Sequence, residues 1–295
     1  MPSVLRRPIL TAALLALTIG AAAACGSSSS GGTSGVDSAA AALVPASIKS
    51  SGTITVAADA SYAPNEFLAT NGTTVIGMDP DLAQAIGEKL GLNVKVENIT
   101  FDSIIPGLVD GRYDLGMSSF TDTKDREKQV NFVTYFSAGT SFYEKASGGP
   151  AVTGLSSLCG LTVAVEAGTT QESDSKAQSK KCTNAGKSAV TVLSFSTQNQ
   201  ANLAINNGRA QVGMADSPVA AYQVKESNGG FKLVGTPYGT APYGIAVPKT
   251  AGTMDQAVLA AVKALMADGT YNQILTKWGI QAGAISNPVI NGAIS

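Results

Sequence analysis

The stretch from Gly107 to Met117, Gly-Leu-Val-Asp-Gly-Arg-Tyr-Asp-Leu-Gly-Met, returns in altered form from Ala204 to Met214 as Ala-Ile-Asn-Asn-Gly-Arg-Ala-Gln-Val-Gly-Met. Both copies read as the end of a helix, a Gly-Arg turn and a short apolar strand closing on Gly-Met. A helix must bury its apolar face against something, and here each copy supplies a strand for it. Each half of the chain therefore carries the same α/β unit.

The first copy runs straight into a chemically dense segment, Gly116-Met117-Ser118-Ser119-Phe120-Thr121-Asp122-Thr123-Lys124-Asp125-Arg126. Hydroxyls, backbone donors and one guanidinium converge where a strand ends. Open α/β sheets bind ligands beyond the carboxyl ends of their strands, and arginine offers a planar fork that grips a carboxylate through two bonds. The segment has the outline of an anion clamp, although Lys124 to Lys128 taken alone also reads as a solvated charge run on a helix.

Composition narrows the chemistry. Lys+Arg 20 against Asp+Glu 21 leaves no basic surface to invite nucleic acid. His 0 removes the commonest general base and the commonest metal ligand, which argues against an enzyme. No cofactor is expected.

Residues 1–24 read as an export signal: Arg6 and Arg7, an apolar run from Ile9, then Ala22-Ala23-Ala24 before Cys25. A cysteine directly after small residues resembles a bacterial lipobox, which implies lipidation of Cys25 and anchoring on the outer face of the cell membrane. An ordinary cleaved signal or a membrane span are the alternatives, and the apolar run is short for a span. Residues 25–50 would then carry the acylated cysteine and a linker, with Gly26 to Gly35 as a flexible Gly/Ser tether. In an exported chain Cys159 and Cys182 are expected to form a disulfide, with two free buried thiols as the alternative.

From Ser51 strands and helices alternate. Thr53 to Val56 reads as a strand, Asp79 as the N-cap of a helix with Pro80 at its first position, and Gly91 as its stop. In the second half Thr169 and Glu172 stand at capping-box spacing. Thr197 to Asn207 reads as a helix and Gln211 to Ala215 as a strand. Asp255 to Asp268 places Val258, Leu259, Val262, Leu265 and Met266 on one helical face, which makes it core. Ser286 onward looks like a loose tail.

Four pieces in order, GMDPDLAQAIGEKLG, FDSIIPGLVDGRYDLGMSSFTDTKDREKQVNF, VAVEAGTTQE and MADSPVAAY, resemble family 3 of the bacterial solute-binding proteins, the polar amino acid receptors of ABC importers. The resemblance runs from about Ser51 to Gly279. It implies a two-lobed periplasmic-binding-protein fold of type II, each lobe a mixed sheet flanked by helices, joined by two hinge strands. Lobe 1 would be 51–142 plus 244–285, lobe 2 143–243, and 286–295 a tail.

The same resemblance implies a site. Arg126 would hold an amino acid's α-carboxylate with Ser119, Thr121, Thr169 and Thr170, the last two at a helix N-terminus that favours anions. Asp216 would accept the α-ammonium, with simple N-capping of the following helix as its alternative. Tyr62 and Phe101 would wall the side-chain pocket, unless they only pack in the core, and Asp59 would be a polar group within it. Two departures from the family pattern, Asn65 and Glu166, are expected near the end of the ligand side chain. Asp59 and Glu166 together could favour a cationic side chain, but Asp59 also occurs in glutamine-type receptors. The implied partners are a membrane permease and its ATPase subunits, for a monomeric receptor that is not an enzyme. A module reporting to a sensor, or a dehydratase-like enzyme on the same scaffold, are the rival expectations.

Overall fold

A computed structural model of the protein describes residues 35–294. The expected signal segment and the lipidation site Cys25 lie outside the described residues. The helices are α1 (Ser38–Ala42), α2 (Ala46–Ser51), α3 (Met78–Leu90), α4 (Phe101–Val109), α5 (Lys124–Glu127), α6 (Thr170–Asn184), α7 (Gln198–Asn206), α8 (Ser217–Glu226), α9 (Met254–Ala267) and α10 (Thr270–Trp278). The strands are β1 (Thr53–Ala58), β2 (Ser61–Tyr62), β3 (Glu66–Leu68), β4 (Val75–Ile76), β5 (Asn93–Asn98), β6 (Leu115–Gly116), β7 (Val130–Lys145), β8 (Thr162–Glu166), β9 (Thr191–Phe195), β10 (Val212–Asp216) and β11 (Phe231–Pro248).

One long sheet has the order β5-β1-β6-β11-β7-β10-β8-β9. β5, β1 and β6 are mutually parallel, as are β10, β8 and β9. Between the two sets lie β7 and β11, an antiparallel ribbon that meets β6 on one flank and β10 on the other. Among the described strands only β7 and β11 run through both halves, and their pairing slips in register between Val234 and Tyr238, Tyr238 and Ala241, and Tyr243 and Gly244. Such slips are local irregularities of the ladder.

The repeated unit explains this near-symmetry. Gly111 and Gly208 both take φ of 72°, the left-handed turn that ends a helix without a Cβ clash. After each turn the chain enters a strand beside the ribbon, β6 against β11 and β10 against β7. A Cβ on Gly213 would stand 2.3 Å from the Tyr143 ring, and one on Gly116 would stand 2.9 Å from Ile104. The glycine of the Gly-Met ending is thus a packing requirement in both halves.

The main core lies in the first half, where Ile54, Val56, Leu82, Ile86, Tyr135, Ile245, Val258, Val262 and Leu265 are buried together. Burial of each such side chain is worth about 1.5–3 kcal/mol. Of the expected apolar face of α9, Leu259 and Met266 are only partly buried against this core. The second half is built on Phe142, Val163, Val165, Val212 and Met214. Cys159 and Cys182 are joined there, with Cα atoms 5.6 Å apart.

Three local expectations are corrected. Part of the supposed linker forms α1 and α2, because Ala40, Val44 and Ile48 have an apolar surface on the main core to bury against. The tail is not loose: Thr134 donates its N–H to the Val289 carbonyl and Asn291 its N–H to the Phe132 carbonyl, so residues 289–291 line the edge of β7. Asp79 is not an N-cap, since α3 begins at Met78 after Gly77 and the Asp79 N–H is satisfied by the Asn65 carbonyl at 2.9 Å. Its side chain is left to turn inward. Among the described residues no helix is long and apolar enough to cross a membrane.

Candidate functional site

Where the carboxyl ends of β1, β6, β8 and β10 converge, a narrow cleft is lined by Asp59, Tyr62, Phe101, Ser119, Thr121, Arg126, Glu166, Thr169, Thr170 and Asp216, with Glu66, Ser118 and Gln171. The residues proposed from the sequence to touch a ligand thus meet in one place, with the exception of Asn65, expected close to them. A more open groove elsewhere, against Phe136, Tyr222 and Trp278, has a largely apolar lining. We assign the site to the cleft because charge and hydrogen-bonding groups converge there.

Arg126 sits on α5, whose first turn is capped by the Thr123 hydroxyl. Its Nη1 donates to the Thr121 carbonyl at 2.8 Å and its Nη2 to the Gly168 carbonyl at 3.0 Å, in the other half of the molecule. The guanidinium carbon lies 5.3 Å from the ring centres of both Phe101 and Phe120, a cation–π arrangement that fixes its plane. Phe101 is thus a platform for the arginine as well as a wall of the cleft. Burial lowers Arg126 to about 10, opposed by the charge of Asp216, so it remains a cation at neutral pH.

Asp216 ends β10. Its Oδ1 accepts from Gln171 Nε2 at 2.7 Å and its Oδ2 from the Tyr243 hydroxyl at 2.6 Å. Although it stands at the N-cap position of α8, its side chain makes no capping bond. Ser217 does not cap in its place, because its hydroxyl donates to the Gly139 carbonyl. Burial pushes Asp216 up to about 6 against the hydrogen bonds it accepts.

Asp59 and Glu166 come from opposite halves and meet at Ser61. The Ser61 hydroxyl lies 2.6 Å from Asp59 Oδ1 and 3.5 Å from Glu166 Oε1, and accepts the Gln198 N–H at the start of α7 at 3.0 Å. Asp59 Oδ2 accepts the Phe101 N–H. Burial raises both carboxyls, and the charge of Asp59 raises Glu166 further, well above the usual carboxylate range. Two buried acids in contact favour a cation between them, or a shared proton.

Tyr62 stands between the halves, its hydroxyl accepting the Asp216 N–H at 2.9 Å. Thr169 caps α6 through the Glu172 N–H, while the Glu172 carboxylate accepts from Gly168 rather than from Thr169, so the expected capping box is displaced by one residue. Thr170 opens α6 toward the cleft. Asn65 departs from expectation: it is fully buried beneath the cleft, and its Nδ2 donates to the Ser119 hydroxyl at 2.8 Å. The short hairpin of β2 and β3 turns it away from the ligand space.

Sequence reasoning missed Gln171, Tyr243, Glu66 and Ser118. Gln171 directly follows the threonine pair and could have been read as a third inward group of that helix start. Tyr243 could not, because only the antiparallel ribbon brings it to Asp216.

The sequence pattern described as bacterial extracellular solute-binding proteins, family 3, matches residues 54–281. The arginine-binding protein ArgT of Corynebacterium glutamicum is 34% identical over 251 residues, covering 85% of this chain and 82% of that protein. An ancestral arginine-binding protein solved with arginine superposes with a TM-score of 0.70 at 36% identity, over 77% of this chain and 98% of that one. The solved form described as bound to glutamine gives 0.71 at 34% identity, over 78% and 98%.

Proposed function

The chain belongs to family 3 of the bacterial extracellular solute-binding proteins, and from that premise we propose that it captures an L-amino acid with a cationic side chain, arginine foremost, for an ABC importer. ArgT is named an arginine-binding protein, and two further relatives, of Escherichia coli and Bacillus subtilis, are named as ABC transporter proteins that bind arginine and glutamine. What carries the choice of cargo is the meeting of Asp59 and Glu166 at Ser61, a pair of buried acids in addition to the Arg126 and Asp216 charges that an amino acid backbone already uses.

In this reading Arg126, Ser119, Thr121 and the start of α6 at Thr169 and Thr170 hold the α-carboxylate. Asp216 accepts the ammonium, and Asp59 and Glu166 take the side-chain cation between the walls of Tyr62 and Phe101. Every charge of the ligand then has a buried partner, which a closed cleft demands. Each charge-assisted bond contributes about 1.5–3 kcal/mol, less the loss of ligand freedom, so an affinity of about micromolar or tighter is expected.

Contacts with groups in both halves let the ligand favour a closed form. In this reading lobe 1 is built on 51–142 with 244–285, joined by α1, α2 and residues 289–291 that pack on it, and lobe 2 on 143–243; the register slips of the ribbon support a hinge between them. The closed receptor then docks on a membrane permease driven by ATPase subunits. It acts as a monomer, held on the outer face of the membrane through a lipidated Cys25.

A second reading, a carboxamide side chain such as glutamine's, is favoured by the raised protonation of Glu166, which makes that carboxyl a hydrogen-bond donor. Calorimetric titration of the purified protein with L-arginine, L-lysine, L-glutamine and L-glutamate decides. Tightest binding of arginine supports the first reading, tightest binding of glutamine the second, and no binding of any overturns both.

A further inference from the structure

Beneath the cleft lies a second pair of acids that the capture of a ligand does not use. Glu66 on β3 and Asp79 in the first turn of α3 are both wholly buried. Ser119 ties them together: its hydroxyl donates to Glu66 Oε2 at 3.1 Å, and its N–H donates to Asp79 Oδ2 at 2.8 Å. The other oxygens are also engaged, Glu66 Oε1 by the Ser118 hydroxyl at 3.1 Å and Asp79 Oδ1 by the Tyr135 hydroxyl at 2.7 Å. Ser118 Oγ in turn accepts the Asp59 N–H at 2.9 Å.

The groups that face Glu66 are Asp79 from α3, Asp59 after β1, Tyr62 from β2 and Tyr135 from β7, all negative or neutral. Arg126 lines the same cleft but directs its donors to the Thr121 and Gly168 carbonyls, and two buried carboxylates with no cation among their described partners do not both ionise. Burial and the neighbouring Asp79 push Glu66 well above the usual carboxylate range, whereas Asp79 rises only to about 6. The proton accordingly rests on Glu66, which Ser119 bridges to Asp79.

The loop they hold is an unusual one. Ser119 has a φ of 51°, a left-handed conformation that a side chain disfavours. It is kept there by its N–H to Asp79, its hydroxyl to Glu66 and the Asn65 amide. We propose that Glu66 and Asp79 share a single proton, and that Glu66 as the uncharged member is a positioning residue which holds Ser118 and Ser119 in the shape that receives an anion. Loss of the shared proton places a second negative charge under that anion and weakens its binding. The ligand side of this inference rests on the function proposed above.

The test compares the parent protein with E66Q and E66A, using L-arginine as the probe in calorimetry from pH 6 to pH 9. Glutamine keeps a neutral group that can both donate and accept, so E66Q restores most of the affinity that E66A loses, which is at least tenfold. The parent's affinity relative to E66Q falls as pH rises, because only the parent has the proton to lose. Infrared difference spectra between parent and E66Q, recorded without ligand at pH 7, show the C=O stretch of a protonated carboxylic acid in the parent alone. Absence of that band overturns the proposal, as does a constant ratio of affinities across the pH range. If L-arginine binds neither protein, the choice of cargo has failed, and the infrared band still decides the proton.

Discussion

The Tyr243 hydroxyl donates to Asp216 Oδ2 at 2.6 Å, so a residue of the ribbon that links the two halves holds the carboxylate proposed to receive the ammonium. The same turn of chain is bonded to the clamp: Asp122 donates its N–H to the Pro242 carbonyl, and Gly244 donates its N–H to the Phe120 carbonyl. The ribbon is thereby bonded to both ends of the proposed amino acid backbone site.

Tyr243→Phe removes one hydrogen bond to a buried carboxylate, an effect of about 1.5–3 kcal/mol. Arginine binding is expected to weaken roughly tenfold to a hundredfold, and the pH midpoint of binding to rise, because Asp216 loses a bond that favours its charged form. Titration calorimetry across pH 5 to 8 measures both. An unchanged midpoint would show that Tyr243 does not act through Asp216.

Asp216 at about 6 has opposite consequences for stability and for binding. Its folded value lies above the unfolded value near ~3.9. The stabilisation linked to its proton is therefore fully present below the unfolded value and lost as pH rises through about 6. Asp79 and Asp122, also near 6, act in the same direction. The unliganded protein should melt lower at pH 7 than at pH 5, with a smaller drop in D216N. A ligand ammonium needs the ionised carboxylate, so affinity should fall by about tenfold per unit below pH 6 for one linked proton.

Arg126→Ala should lower affinity for every amino acid alike, by about a hundredfold, because the α-carboxylate is common to all of them. Glu166→Gln should instead reorder preference, weakening arginine more than glutamine. Parallel titrations of both variants separate the two roles. Equal losses for arginine and glutamine in E166Q would remove Glu166 from the side-chain pocket.

The disulfide closes a separation of 23 residues and fastens the far end of α6, while Thr170 at the near end opens on the cleft. Replacing Cys159 and Cys182 by alanine should cost roughly 3 kcal/mol in the chain-entropy estimate. Affinity for the ligand should hardly change, since the N-terminal turn of α6 is held by the Thr169 cap. Urea denaturation and calorimetry on the same samples test both halves of this statement.

Removal of residues 287–295 should destabilise the protein by a few kcal/mol, on the order of one for each lost hydrogen bond. Asn291 and Val289 pair with β7, and Gly292 donates its N–H to the buried Asp122 at 2.7 Å. Urea denaturation of the truncated chain measures the loss, and a midpoint equal to that of the parent would mean that these bonds contribute nothing net.

The sequence by itself determined the repeated α/β unit, since a helix stop at Gly111 or Gly208 followed by an apolar strand is a local pattern with a local cause. It also brought Ser119, Thr121 and Arg126 together in one short stretch that needs no distant partner to be seen, while their reading as a clamp came from the resemblance to the family. Only the tertiary structure decided where Asp79, Asn65 and residues 289–291 went. Asp79 read as a helix cap, Asn65 as a neighbour of the ligand side chain and residues 289–291 as a loose tail, but packing of α3 on the β2–β3 hairpin satisfied the helix start with a carbonyl and released Asp79 to the interior. It likewise decided which groups face each other across the cleft. Asp59 meets Glu166, and Tyr243 meets Asp216, through a ribbon whose two strands are far apart in the chain, and no local preference encodes such a pairing.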